Sequence, residues 1–578
     1  MLPKESAETL FGSRIGRDQI FMFSSRGGES AKPDVLAPGV ASSSTPRWDS
    51  GDIKGGTSMA APQITGAYTL LASAAAATKT RVSSATLKRA LLGSARPLTG
   101  YGLVDQGAGV PDVAKAFEIV RRLAGADEPF QIAGYRVTTS TPTSDGEVEG
   151  AVWRAGTYVP TGDETHAFAV EAIFYESAAK QSADFQQILT FDAEANWIRV
   201  DRDRARLRGP DAEPIMVRYD TSDLRTPGIY SGRVLGTPDG GAGVPALSLW
   251  TTVVVPYTFD AGNAYGLDTE VELAPGEVAR FPVLVPPGAT SLSVELHPGK
   301  HASVRLYAFD PAGRPVDAEA PVAAATDQSV ATLRIGDAEL TPGTWELVLY
   351  ASHRERQTSE VYLSVRFRGL DYAPVRTLSF PAGQAPSGRV SVTNRYDVRF
   401  QGSVTGSLTG FRRQRTVKAE GEMVSQPFST NADVARVDFS LQLSAKAYAR
   451  FTDVAITILD EEGTALEKSG FVNGKATIGV QTDGAARALR LDIRGAVANS
   501  DAHSDPWNVE IVETWTRRKV ITIAGGDVTL WPSVVESVDF ELDGTPPRAP
   551  DGFENAGSVI LTDRRSREVW AEIPVRVK

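Results

Sequence analysis

The sequence predicts a multidomain chain that is helical at its start and built of all-β sandwich or jelly-roll domains thereafter. Three observations carry this. The 578 residues exceed what one hydrophobic core organises and imply about four domains. Helical periodicity is concentrated in the first 122 residues. Beyond them, period-two alternation broken by Pro-Gly, Asp-Gly and Asn-Gly turns takes over.

Composition narrows the class. Hydrophobic residues make up 42% of the chain and charged residues 23%, so disorder is not the expectation. The net charge of −11 comes with basic residues scattered among acidic ones, which argues against a nucleic-acid surface. With no cysteine, disulfides, thiolate catalysis and Cys-ligated zinc are excluded. The most apolar run, Ala67–Ala77, is too short to span a membrane, and the first residues lack the pattern of a secretory signal. The compartment is left open, with the cytoplasm favoured over secretion.

The helices come first in the chain. From Ser58 to Ala77 the residues are small and apolar on nearly every side, which predicts a helix buried all round, with Pro62 in its first turn. A second helix is expected over Ser84–Gly93, capped by Ser83 or Ser84, with Leu87, Ala90 and Leu91 on its inner face. A third should open with Pro111 and bury Val113, Ala116, Phe117 and Val120. Between these two, "YGLVDQGAG" reads as an extended piece followed by a turn.

A linker, Ala124–Phe130, leads into strands such as Ala167–Tyr175, Leu247–Val255, Thr290–Leu296 and Ser359–Phe367. The expected division is residues 1–123, then β domains over 130–258, 267–369 and 374–516, and a C-terminal β segment over 517–578. One phrase recurs: in "LRTPGIYSG" and "LTPGTWELV" a Pro-Gly turn starts a strand with an aromatic two residues after the glycine, which suggests a corner device.

The stretch "GGTSMAAPQITGAYTLL" carries the chemistry. A nucleophilic serine needs an exposed Oγ, a base within reach and donors aimed at a developing oxyanion. Ser58 in the first turn of a helix has unpaired backbone N–H groups and the positive helix end beside it. Gly55 and Gly56 let a substrate backbone approach, and Thr57 precedes the bend. Read blandly, this is an Ala-rich helix whose serine is a cap.

With its surroundings, "GTSMAAP" resembles the serine motif of the subtilisin-like peptidases. "FSSRGGESAKPDVLAPG" (Phe23–Gly39) is similar to an upstream phrase of that family, departing at Gly28 where proline is usual, and "GYGLVDQGAGVPDVAKAF" (Gly100–Phe117) to the end of its domain. Residues 1–123 are thus expected to be the C-terminal part of an α/β subtilisin-like domain. Thr226–Phe259 and Leu273–Pro298 resemble segments of the tripeptidyl peptidase II-like branch. The resemblance implies a serine peptidase acting on peptide or protein substrates through an acyl-enzyme on Ser58, releasing tripeptides, as a homo-oligomer, without cofactor or metal.

That family orders its triad Asp, His, Ser. No D-[ST]-G, no H-G-T-H and no oxyanion asparagine is found before Ser58, so the partners are expected upstream of Met1, which then reads as a truncated start or one piece of a split gene. The five histidines, His166, His297, His301, His353 and His503, lie in polar or turn-like contexts of the β region. Pro298 and Gly299 argue against His297 and His301 as a metal pair. Loss of the histidine from a subtilisin-type site costs a factor of about 10⁶ in turnover, so the chain alone is expected to be inactive, with its buried helix exposing an apolar face unless a separate chain supplies the Asp/His half. The alternative is a non-catalytic β scaffold, or a carbohydrate- or protein-binding module, carrying a peptidase remnant. Trp153, Trp345, Trp507 and Trp531 would then line a sugar platform or, as strand aromatics usually do, the core.

Overall fold

A computed structural model of the chain describes residues 18–28, 30–42, 53–126, 132–141, 146–153, 165–220, 222, 224–316, 322–325, 330–336, 339–373, 378–380, 387–419, 421–471, 474–484, 486–496, 506–544, 546 and 548–577. At the start, β1 (Val40–Ser42) pairs antiparallel with β2 (Ile53–Gly55), and four helices follow: α1 (Thr57–Ala77), α2 (Ser84–Ser94), α3 (Leu103–Gln106) and α4 (Val113–Ala124).

Each helix start has a local cause, and two differ from expectation. Ser83 caps α2 by accepting from the Thr86 N–H at 3.1 Å. Asp112 caps α4 through the Lys115 N–H at 3.0 Å, so Pro111 lies one position before the cap and not in the helix. The extended piece expected around Val104 is instead the single turn α3, because the Asp105 carboxylate reaches back to the Gly102 N–H at 2.9 Å.

The helix from Ser58 is not buried all round. Only Ala67, Leu71 and Ala75, four residues apart, are buried, against Leu87, Ala90 and Leu91 of α2 and Ala116, Ile119, Val120 and Leu123 of α4. The opposite face is open to solvent, with Leu70 63% exposed, since no described element packs on it. Val244 completes this core, Arg89 donates to the carbonyls of Gly241 and Pro245, and the Leu103 N–H donates to Ser231 Oγ at 2.9 Å, so the first β domain is docked on the helices through a loop and a strand.

That β domain packs a four-stranded sheet (Ile132–Thr139, Thr165–Phe174, Glu213–Tyr219 and Ile198–Val200) on a five-stranded one that includes Gly228–Pro238 and Leu247–Val255. The second repeats the plan. A sheet of Gly266–Leu273, Ser359–Arg368, Ser291–Pro298 and Ala331–Gly336 faces another built on Val278–Leu284, Thr344–Ala351 and Ser303–Phe309, with Trp345 fully buried between them. The recurring Pro-Gly phrase is a corner in both: the Tyr230 hydroxyl donates to the Thr226 carbonyl at 2.8 Å and the Trp345 indole to the Thr341 carbonyl at 2.9 Å, each four residues upstream.

The rest of the chain is built on a ten-stranded sheet, with a separate four-stranded sheet of Met423–Ser429, Ala488–Ala496, Asp453–Leu459 and Ala465–Gly470. Two long strands, Phe400–Ala419 and Trp507–Leu530, pair along their length and run through two cores in succession. The break expected between residues 516 and 517 falls inside the second of these strands. Residues after 530 return to the first of the two cores, where Val538, Phe540, Val559 and Ile573 pack beside Phe400 and Val404.

Candidate functional site

Ser58 is the second residue of α1 and its side chain is exposed. The helix begins after Gly56 with no side-chain cap, so backbone N–H groups of its first turn have no partner within the helix. Pro62 stands sixth in α1, in the second turn and not the first. Having no N–H, it cannot bond the Ser58 carbonyl four residues back. The Ser58 carbonyl is thereby left without its helical partner, while the Met59 N–H donates to the Gly56 carbonyl at 3.0 Å.

The turn before Ser58 is held by the backbone. The Gly56 N–H donates to the Gly39 carbonyl at 2.8 Å, next to the Val40↔Gly55 pair of β1 and β2. Neither glycine is demanded by the protein's own packing. A Cβ at Gly55 would lie 3.9 Å from the Gly39 carbonyl, one at Gly56 3.5 Å from Met59 Sδ, and both are ordinary contacts.

The three sequence phrases singled out above meet in space. The Gly27 N–H donates to the Val104 carbonyl at 2.7 Å, Ala108 to Asp34 at 3.0 Å and Leu36 to Gly109 at 2.8 Å. Gly107, at φ 61°, is where the third phrase crosses the first, and a Cβ there would sit 2.1 Å from the Pro33 carbonyl oxygen. At Gly28 the N–H donates to the Ser30 carbonyl at 3.2 Å, a bond that proline could not make. Burial raises the Asp34 carboxyl's pKa, but hydrogen bonds from Lys32 and Lys88 more than offset this and hold it below the ordinary value.

Sequence reasoning missed a second cluster. Asp105 accepts from Arg280 at 2.7 Å and lies 3.2 Å from Arg26, while Arg280 also reaches Glu346 at 3.3 Å. Arg26 is pushed below its ordinary pKa by burial, against the pull of Asp105, and its Nη1 has no partner. Arg26, Asp105 and Arg280 line a cleft of about 250 Å³ where the helical segment meets both of the first two β domains. No local pattern could signal it, since Asp105 and Arg280 are 175 positions apart.

The histidines are elsewhere. His166 bonds Thr139 at 2.7 Å and lies edge-on to Phe168, His297 faces Glu295 at 3.3 Å, and His353 bonds the Tyr350 hydroxyl at 2.5 Å. His301 occupies a turn with φ 52°, and His503 lies outside the described residues. The tryptophans do not form a platform: Trp345 and Trp507 are core residues, Trp531 is half exposed beside Arg399, and the Trp153 side chain lies outside the described set.

Residues 12–114 match the model of the Subtilase family. The chain is 28% identical over 272 residues to pyrolysin of Pyrococcus furiosus, covering 43% of this chain, and 29% identical over 274 residues to tripeptidyl-peptidase 2 of Drosophila melanogaster, covering 44%. It spans 18% of the length of each of these relatives. Its fold is similar to that in the crystal structure of tripeptidyl peptidase 2, with a TM-score of 0.59 and 16% identity over 90% of this chain and 46% of that one.

Proposed function

Because this chain is a subtilase of the tripeptidyl peptidase II-like kind, we propose that it carries the nucleophile half of a serine peptidase site acting on peptides or proteins. The observation that carries the reading is the exposed Ser58 at an uncapped helix start on a backbone-held turn. Ser58 Oγ attacks the scissile carbonyl, and its own N–H, on the positive end of α1, helps hold the oxyanion. Gly55 and Gly56, whose packing is open, leave room for the substrate backbone, with Thr57 positioning the bend.

On this reading the general base is supplied by a polypeptide segment carrying the Asp/His half. No histidine precedes Ser58, and the described contacts of His166, His297 and His353 are made within the β domains. On the same reading the chain alone is inactive. A polypeptide bearing the Asp/His half packs on the open face of α1 around Leu70, where apolar surface is already exposed. The assembled enzyme releases tripeptides and works as a homo-oligomer, with the β domains carrying the contacts between copies.

The test is reconstitution. The purified chain should neither hydrolyse a fluorogenic tripeptide substrate nor label with a fluorophosphonate, and co-expression with a subtilase segment containing D-[ST]-G and H-G-T-H should restore both, with loss again in Ser58→Ala. Labelling of Ser58 in the isolated chain would contradict the inactivity. Hydrolysis that survives Ser58→Ala would remove Ser58 from the mechanism.

A further inference from the structure

We propose that the outer face of the second β domain holds a binding site for a neutral polyhydroxylated ligand, a sugar ring, in the cleft it forms with the C-terminal hairpin. The register builds it. Along Ser359–Arg368 the residues Val361, Leu363, Val365 and Phe367 enter the core, so Tyr362, Ser364 and Arg366 face outward. Pairing places Asp268 opposite Ser364 on one side and Glu295 opposite it on the other, with His297 across from Tyr362 and Ser293 across from Arg366. The turn between the strands Glu554–Asp563 and Val569–Val577 then brings Ser566 and Glu568 over this face. The enclosed cleft is about 260 Å³.

Two buried polar atoms in it lack a partner: the Oγ of Ser293, 5% exposed, and Oε1 of Glu568, 8% exposed. Groups so placed need a donor or acceptor from an occupant. The charges say which kind. Each carboxylate faces a basic group, Asp268 with Arg366 at 2.5 Å, Glu568 with Arg368 at 2.5 Å and Glu295 with His297 at 3.3 Å. Acidic and basic side chains thus alternate across the cleft, and neither a cation nor an anion meets a lining of one sign.

What remains is an alternation of acceptors and donors suited to hydroxyl groups, which are both. At the mouth, Tyr362 is 39% exposed, with His297 edge-on to it at 5.8 Å, and offers an aromatic face for the apolar side of a sugar ring. Ser293 and Glu568 form the floor and supply orientation. This site does not depend on the peptidase reading, since none of its residues adjoins Ser58 in the structure or the sequence.

Saturation-transfer NMR on the full chain tests it, using glucose, galactose, mannose and N-acetylglucosamine as probes, with lysine amide and inorganic phosphate as charged controls. At least one sugar should show transfer at millimolar concentration. Tyr362→Ala and Ser293→Ala should each weaken it about tenfold, the scale of one lost hydrogen bond or stacking contact, with circular dichroism and melting unchanged. Silence from all four sugars overturns the proposal, as does preferential binding of lysine amide or phosphate. Sugar binding that both variants retain overturns it too, because the contact would then lie elsewhere.

Discussion

Replacing Asp105 with asparagine should loosen the junction between the helical segment and the first two β domains without unfolding any of them. The side chain is 13% exposed and neutralises Arg26 and Arg280, themselves 17% and 21% exposed. Removing one partner of a fully buried pair costs about 3–5 kcal/mol. Here Arg280 keeps Glu346, and the asparagine oxygen can still accept from the Gly102 N–H, so the lower limit applies, about 3 kcal/mol. Arg26 bears most of it, because burial already lowers its pKa and Asp105 is the acidic partner it would lose. At 1.36 kcal/mol per decade, that is a rise of roughly a hundredfold in local opening.

Hydrogen exchange by mass spectrometry reads this directly, on peptides covering residues 98–110 and 278–284. Both should exchange faster by about that factor, while the core strand Leu247–Val255 should not change. Arg280→Met closes a double-mutant cycle, and the two substitutions together should cost less than their sum. If the two peptides keep wild-type protection in Asp105→Asn, the ion cluster is not what joins these parts, and the hydrogen bonds of Arg89 to Gly241 and Pro245, of Leu103 to Ser231 and of Gln19 to Pro275 must carry the contact.

Gly107→Ala should be far more damaging than its size suggests, because at φ 61° and ψ −132° an L residue is strained by about 1–3 kcal/mol, and its Cβ would also meet the Pro33 carbonyl at 2.1 Å; soluble yield and loss of protection at Asp34–Leu36 would register it. Arg368→Met leaves the buried Glu568 charge uncompensated and should cost about 3–5 kcal/mol at neutral pH in urea unfolding of the C-terminal domain. Burial raises the Glu568 pKa, against the pull of Arg368, so the folded chain takes up this proton more readily than the unfolded chain does. The variant's deficit should therefore shrink as pH falls through the folded pKa, and a deficit that grew toward acid would refute this. Leu70→Asp, on the open face of α1, should change stability by under about 0.5 kcal/mol yet abolish reconstitution with an Asp/His segment, measured as tripeptide hydrolysis.

How much of this was legible in the sequence follows from the range of the interactions involved. The inner face of α2 was readable because spacing within one helix fixes it. On α4, Ala116 and Val120 are buried as expected, but Ile119 and Leu123 are buried in place of Val113 and Phe117, which are half-buried. The strand Leu247–Val255 is buried on both faces and shows no alternation. Local patterns failed where the deciding partner was distant. Nothing near residue 516 shows that Trp507–Leu530 continues through it, since a long strand and two short ones alternate alike, and only pairing with Phe400–Ala419 tells them apart. The breadth of α1's buried face was overestimated for a related reason. Small residues permit close packing on any side, but burial needs an element to pack there, and the described chain supplies two helices on one side. At the candidate site the motif located Ser58, whereas the Asp105 cluster and the polar cleft around Ser293 and Glu568 join residues 175 and 275 positions apart by pairings that no spacing encodes.

The way the Ser58 turn is held makes the function testable in parts. Its support is backbone to backbone, from Gly56 to Gly39, from Leu36 to Gly109 and from Ala108 to Asp34, and uses no histidine and no catalytic carboxylate. A nucleophile turn so built can keep its geometry whether or not a base is present. Failure to hydrolyse peptides then has two distinguishable causes. If the amides of Leu36, Gly56 and Ala108 are protected from exchange while the chain stays inert, the turn is formed and the missing element is chemical, to be supplied by a second polypeptide. If those amides exchange freely, the turn itself forms only on assembly, and α1's open face is where that assembly must begin.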